Sequence, residues 1–193
     1  IWGLYTTKIS SYLYDVQLLF NKMSLPVVWR DIYKTVEENE DNYDKRYHAW
    51  FITKEYNGKS KDILSKIMDE SNDASEYTGG AYFGFSMIRI PEMYYIMAEA
   101  LLEEGDRERA RDYLDIVVSA RGMVKFADRD TGKDITLEDI MNERRKELFG
   151  EGQWWFCLKR LNRDIYVHAL DATLKGGDKI YTLPLPTEEL DPR

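Results

Sequence analysis

The 193-residue chain carries 27 basic and 35 acidic residues, a formal charge of −8, and is 44% hydrophobic and 32% charged. That mixture suffices to bury a core and excludes a disordered chain, while the acidic balance excludes the basic footprint that a phosphate backbone demands, so nucleic acid is not an expected partner. No apolar run approaches the roughly 20 residues of a membrane span, and the single cysteine, Cys157, excludes internal disulfides and cysteine-based zinc clusters.

Residues 1–20 fit helix and strand comparably. Ser24, Val28, Ile32, Tyr33 and Val36 have the spacing of a capped helix. Residues 47–56 are rich in aromatic and β-branched side chains and read as extended. Residues 57–85 are polar and glycine-containing with scattered tyrosines; they predict long loops with a helix across 63–68, and loops of that length are usually functional.

The clearest periodicity begins at residue 89. Ile90, Met93, Tyr94, Met97 and Leu101 recur as one face of a helix with Pro91 in its first turn and Gly105 at its end. Asp106 then caps a second helix striped by Ala110, Tyr113, Leu114 and Val117 and stopped by Gly122. The early aromatic, the turn at Gly105 and Asp106, and small Ala98 and Ala110 where two helices approach resemble one tetratricopeptide unit. Such a unit needs neighbours to bury its outer faces. Residues 126–134 read as a loop, and Thr136 with Asp139 predicts a capping box for a helix carrying Leu137, Ile140, Met141, Arg144 and Leu148, broken by Gly150 and Gly152. Trp154, Cys157, Leu158, Leu161 and Ile165 predict a further helix over 153–162, and residues 180–186, interrupted by Pro184 and Pro186, read as extended.

The order of these signals resembles the SusD/RagB family. Arg89 to Ala100, an arginine-led helix ending in Ala-Glu-Ala, is followed by Arg121; Glu143, Arg144, Arg145, Lys146, Glu147 and Leu148 precede Glu151, Gly152, Leu158 and Arg160; Leu183, Pro184, Leu185 and Pro186 close the pattern with Glu188 or Glu189. Upstream, Asp44 and Arg46 are similar to the family's Asp-x-Arg pair. Trp154 and Cys157 stand where the family usually has an Arg and an Asp, so an ion pair is replaced by apolar packing.

The resemblance implies a mainly α fold of tetratricopeptide-like helical hairpins with long irregular loops. Residues 1–88 would form a variable, loop-rich, ligand-facing region and 89–193 the C-terminal hairpin region, both parts of one larger domain. It further implies a non-catalytic, surface-exposed outer-membrane lipoprotein of the Bacteroidetes type. Such proteins capture oligosaccharides or polysaccharides and deliver them to a SusC-like TonB-dependent transporter. Membrane attachment would be only through a lipid anchor absent from this segment, which opens at Ile1 and stops at Arg193 like a piece of a longer protein.

Glycan capture needs aromatic faces for sugar rings and polar groups for hydroxyls. With 14 Tyr and 5 Trp the chain is rich in the former, and Trp50, Tyr77 and Tyr82, each near polar residues in the variable region, are the candidate ligand-binding residues. The tryptophans Trp154 and Trp155 are expected in the core. Glu143, Glu147 and Glu151 fall four apart, the carboxylate pairing of a glycosidase, but the interleaved Arg144, Arg145 and Lys146 predict an ion-pair network instead. Cys157 on an apolar stripe reads as a small buried hydrophobe, and nothing places it beside His48 or His168. No catalytic residue, metal site or cofactor is expected. The rival reading is a peptide- or protein-binding tetratricopeptide-like module.

Overall fold

Side-chain caps at Asp44, Asp106 and Thr136 mark where three of the described helices begin. The computed structural model describes residues 2–5, 32–33, 43–56, 58–64, 84–129, 133–167 and 170–182, and it divides into two units, Ile1–Glu147 and Leu148–Arg193. Among the described residues it is mainly helical, with short two-stranded antiparallel ribbons between the helices.

In the first unit, strand β1 (Trp2–Tyr5) pairs with β4 (Gly84–Ile88), so the ambiguous N-terminal segment opens as strand. Ile32 and Tyr33 are helical as expected, and the rest of the 24–36 helix lies outside the described residues. The extended reading of 47–56 holds only for its second half. The Asp44 side chain accepts a hydrogen bond from the Arg46 amide at 3.0 Å and caps helix α1 (Lys45–Trp50), and the strand β2 (Phe51–Tyr56) starts only at Phe51. The helix expected across 63–68 is corrected at its start: Ile63 and Leu64 belong to β3 (Lys59–Leu64), paired opposite Ile52 and Phe51, and 65–68, with the loops expected up to residue 83, lie outside the described residues. The register Tyr56↔Lys59 leaves two residues in the connection, and Asn57-Gly58 is a sequence favoured in such hairpin turns.

Helix α2 (Ile90–Glu103) carries Pro91 in its first turn, and α3 (Arg107–Ala120) is capped by Asp106, which accepts from the Arg109 amide at 3.2 Å. The two form the expected hairpin. Ala98 and Ala110 are both fully buried, which lets the helices approach, and Tyr95, Leu101, Leu114, Val117, Val118, Met123, Ile135 and Ile140 complete the core. The face expected of α2 is corrected in part: Leu101 is in the core and Tyr94 packs against it as expected, but Ile90, Met93 and Met97 are 57%, 46% and 43% exposed, and the core side runs through Tyr95, Ala98 and Leu101. Apolar residues on both sides of α2 satisfy the same period, so spacing alone identifies the helix and not its buried face.

Past α3, Gly122 has φ +82°, and a Cβ there would stand 2.8 Å from the Tyr43 carbonyl oxygen. That close approach lets the Lys45 amide donate to the Arg121 carbonyl at 2.9 Å and brings the start of α1 against the end of α3. The described part of the 126–134 loop contains a 3-10 turn, Phe126–Asp128, whose first two amides are received by the buried Asp115 carboxylate at 2.5 and 3.1 Å. Helix α4 (Leu137–Glu147) starts from the expected capping box, with the Asp139 carboxylate accepting from the Thr136 amide at 2.8 Å and its hydroxyl at 2.6 Å.

In the second unit, α5 (Gln153–Arg160) follows Gly152, whose φ is +74°. Only Cys157 on it is buried; Trp154 is half-buried and Trp155 is 41% exposed, its ring tilted against buried Tyr181 at 5.3 Å. The expectation of two core tryptophans is thus corrected for Trp155, because so short a helix buries one narrow side. Ile165 lies not on α5 but in β5 (Ile165–Val167), paired with β6 (Ala172–Leu174). Gly176 then passes so close to Asn162 that a Cβ would clash with its carbonyl oxygen. Helix α6 (Asp178–Tyr181) corrects the extended reading at Ile180 and Tyr181, and 183–186 lies outside the described residues.

Candidate functional site

The short helix α1 presents an aromatic patch. Tyr47 and Trp50, three apart, share one side of it. The Tyr47 ring stacks on Phe51 at 5.8 Å between centroids, buried Tyr33 meets Phe51 edge-on at 5.4 Å, and exposed His48 stands edge-on to Tyr43 and Tyr47. The patch is pinned by buried Asp62, which receives the Tyr47 hydroxyl at 3.0 Å and the Thr53 hydroxyl at 2.8 Å. Trp50 closes α1, keeps part of its surface in solvent, and carries the Arg89 guanidinium 5.9 Å from its ring centroid. That is the geometry of a cation–π contact.

A buried charged cluster stands behind Arg89. Arg46, 1% exposed, grips Asp44 as a fork, Nε to Oδ1 at 2.8 Å and Nη2 to Oδ2 at 2.7 Å, and reaches Glu143 Oε2 at 2.7 Å. Glu147, fully buried, receives Arg89 on Oε1 at 2.6 Å, Arg121 on both oxygens at 2.7 and 2.9 Å, and has Arg46 at 3.6 Å. Lys146 pairs with Glu143, and the Tyr33 hydroxyl donates to the Lys146 carbonyl at 2.9 Å.

Burial opposes charge on Glu143 and Glu147, but Lys146 and Arg46 around the first and Arg121, Arg89 and Arg46 around the second overcome it and hold both carboxyls below their ordinary value. For Arg46 burial likewise opposes the charge, and Glu143 and Asp44 outweigh it and push the guanidinium higher still. Burial pushes the Tyr33 and Tyr95 hydroxyls upward, so both remain neutral.

Carboxylates held ionised under guanidinium groups cannot serve as a general acid, which needs a raised value. The ion-pair reading of Glu143 and Glu147 therefore stands, with a correction to its partners. Of the interleaved cations Lys146 pairs with Glu143, Arg144 pairs instead with Glu92 at 2.7 Å, and Glu147 is held by cations from distant segments. Glu151 lies beyond the end of α4, so the three glutamates do not share one helix.

Of the three candidate ligand residues, Trp50 sits in this patch, and Tyr77 and Tyr82 lie outside the described residues. His168 does too, and Cys157 is buried in α5. What the spacing analysis missed is the convergence of Asp44, Arg46, Arg89, Arg121 and Glu147. A local signal existed. Ile140, Glu143 and Glu147 fall at i, i+3 and i+7, so the carboxylates occupy a core stripe and demand buried cations. Among the described residues no group of three His, Cys, Asp or Glu is arranged to hold a metal ion, and no helix is long and apolar enough to cross a membrane.

Comparison with known proteins supplies an independent view. The family model described as the SusD family matches residues 62–191. Among solved structures, a SusD superfamily protein from Bacteroides vulgatus ATCC 8482 is 28% identical with a TM-score of 0.51, over 68% of this chain and 30% of its own. The chain thus spans about a third of the length of that relative. No curated protein matches in sequence.

Proposed function

The chain belongs to the SusD family, and from that premise we propose that it is part of a non-catalytic, surface-exposed outer-membrane lipoprotein that captures oligosaccharides or polysaccharides and passes them to a SusC-like TonB-dependent transporter. The SusD family consists generally of non-catalytic binding proteins. Family membership carries the role. Within this chain the saccharide is received at Trp50, together with Tyr77 and Tyr82 of the variable region. The observation that supports this placing is the Trp50 ring: an aromatic partly open to solvent and backed by a fixed guanidinium. An indole face stacks on the C–H face of a pyranose, and polar groups at its edge can bond to the sugar hydroxyls.

The test is titration of the full-length protein with malto-, xylo-, cello- and manno-hexaose, read by calorimetry and beside a glycan array. Saturable binding to at least one is expected, and no binding to any saccharide sinks the proposal. A second reading, a peptide-binding module, is favoured by the exposed Met93, Ile96 and Met97 of α2. Titration with amphipathic helical peptides separates the two, since only this reading predicts saturation by peptide and none by sugar.

A further inference from the structure

The contact between Trp50 and Arg89 raises a question that saccharide binding alone does not answer, namely what keeps the ring in place. Trp50 is the last residue of α1, where the chain turns at once into β2, so its backbone is fixed on one side by the Asp44 cap and on the other by strand pairing. Its ring also meets Arg89, which precedes α2 and comes from a different part of the sequence. The Arg89 side chain is itself immobilised: Nη2 donates to Glu147 Oε1 at 2.6 Å and Nη1 to the Glu147 carbonyl oxygen at 2.9 Å. Glu147 is fully buried at the end of α4 and is held by Arg46 at 3.6 Å as well as by Arg121 on both oxygens, so loss of Arg121 alone leaves it in place.

We propose that Arg89 is a positioning residue that carries the rigidity of the buried charged cluster to the Trp50 ring, so that the saccharide platform is oriented before ligand arrives. This rests on the saccharide reading of Trp50 and deepens it. Arginine suits the task because its planar fork can bind a carboxylate through its edge while presenting a face to an aromatic ring. An aromatic platform with fewer free rotamers loses less entropy on binding, which favours affinity without any new contact.

Arg121 supplies the control. It binds the same carboxylate at similar distances but comes from the end of α3, and Arg89 is the residue found over the Trp50 ring. In 15N-labelled full-length protein, the Trp50 indole resonance is assigned by its loss in Trp50→Phe and then followed in Arg89→Met and Arg121→Met. The expected result is that Arg89→Met moves that resonance and weakens binding of the tightest of the four hexasaccharides about fivefold. Arg121→Met lowers the melting temperature comparably yet leaves both nearly unchanged. Should Arg89→Met fold poorly, Arg89→Lys keeps a cation on Glu147 and is expected to fall between it and wild type. Equal movement of the indole resonance in the Arg89 and Arg121 variants, or movement in neither, overturns the proposal. The resonance is read without ligand, so a shift confined to Arg89→Met supports the coupling even where wild type binds no sugar, a result that would overturn the saccharide reading alone.

Discussion

The interior of the α2/α3 hairpin and the charged cluster built on α4 lie in the same unit and are held by opposite physics. In the hairpin, Ala98, Leu101, Ala110, Leu114 and Val117 exclude water between two helices adjacent in sequence. Its stabilisation comes from apolar burial, is indifferent to charge, and needs only a short loop to form. In the cluster, Asp44, Arg46, Arg89, Arg121, Glu143 and Glu147 come from separate segments, and each group tolerates burial only because the others are present. A hairpin of this kind stacks into many architectures, whereas a cluster that needs particular ions from four places specifies one arrangement of the chain.

The first way to break the comparison is to remove one charge from the cluster. Glu147→Gln leaves three guanidinium groups around a neutral amide in a fully buried site and is expected to cost about 3–5 kcal/mol in chemical denaturation. Leu114→Ala, in the fully buried middle of the hairpin, is expected to cost slightly less, about 2–4 kcal/mol, by loss of burial and the cavity left behind.

Acid sharpens the contrast between these two. Glu143 and Glu147 have folded values below those of the unfolded chain, so their contribution is fully present above the ordinary carboxylate range near about pH 4.3 and is lost as pH falls through the lower folded values. Denaturation followed from about pH 7 to about pH 3 should therefore show the gap between wild type and Glu147→Gln closing. The gap between wild type and Leu114→Ala should persist. A Glu147→Gln deficit independent of pH would contradict the ionised assignment of that carboxylate.

The same contrast explains what the sequence made legible. Asp106, Thr136 with Asp139, Gly105 and Gly122 act within a few residues of themselves, so the limits of α2, α3 and α4 follow from local chemistry. The buried face of α2 does not, because Ile90, Met93 and Met97 satisfy the helical period as well as Tyr95 and Ala98 do. The β2/β3 ribbon was legible in Asn57-Gly58, a turn signal outweighed by the polar, glycine-containing character of the segment around it. The cluster was legible only as motifs. Asp44, Arg46, Arg89, Arg121 and Glu147 carry the resemblance to the SusD family, yet their meeting is non-local, and no spacing rule joins residue 46 to residue 143. The aromatic patch at Trp50 stands between these cases. Its residue type pointed to saccharide stacking, while its link to Arg89 and Glu147 required three dimensions.

That patch is also where the account is most exposed to test. Calorimetric titration of full-length wild type and Trp50→Ala with the tightest of the four hexasaccharides, at matched folded fraction, should show binding weakened about tenfold or more in the variant. An unchanged dissociation constant in Trp50→Ala would contradict the placing of the saccharide on this ring.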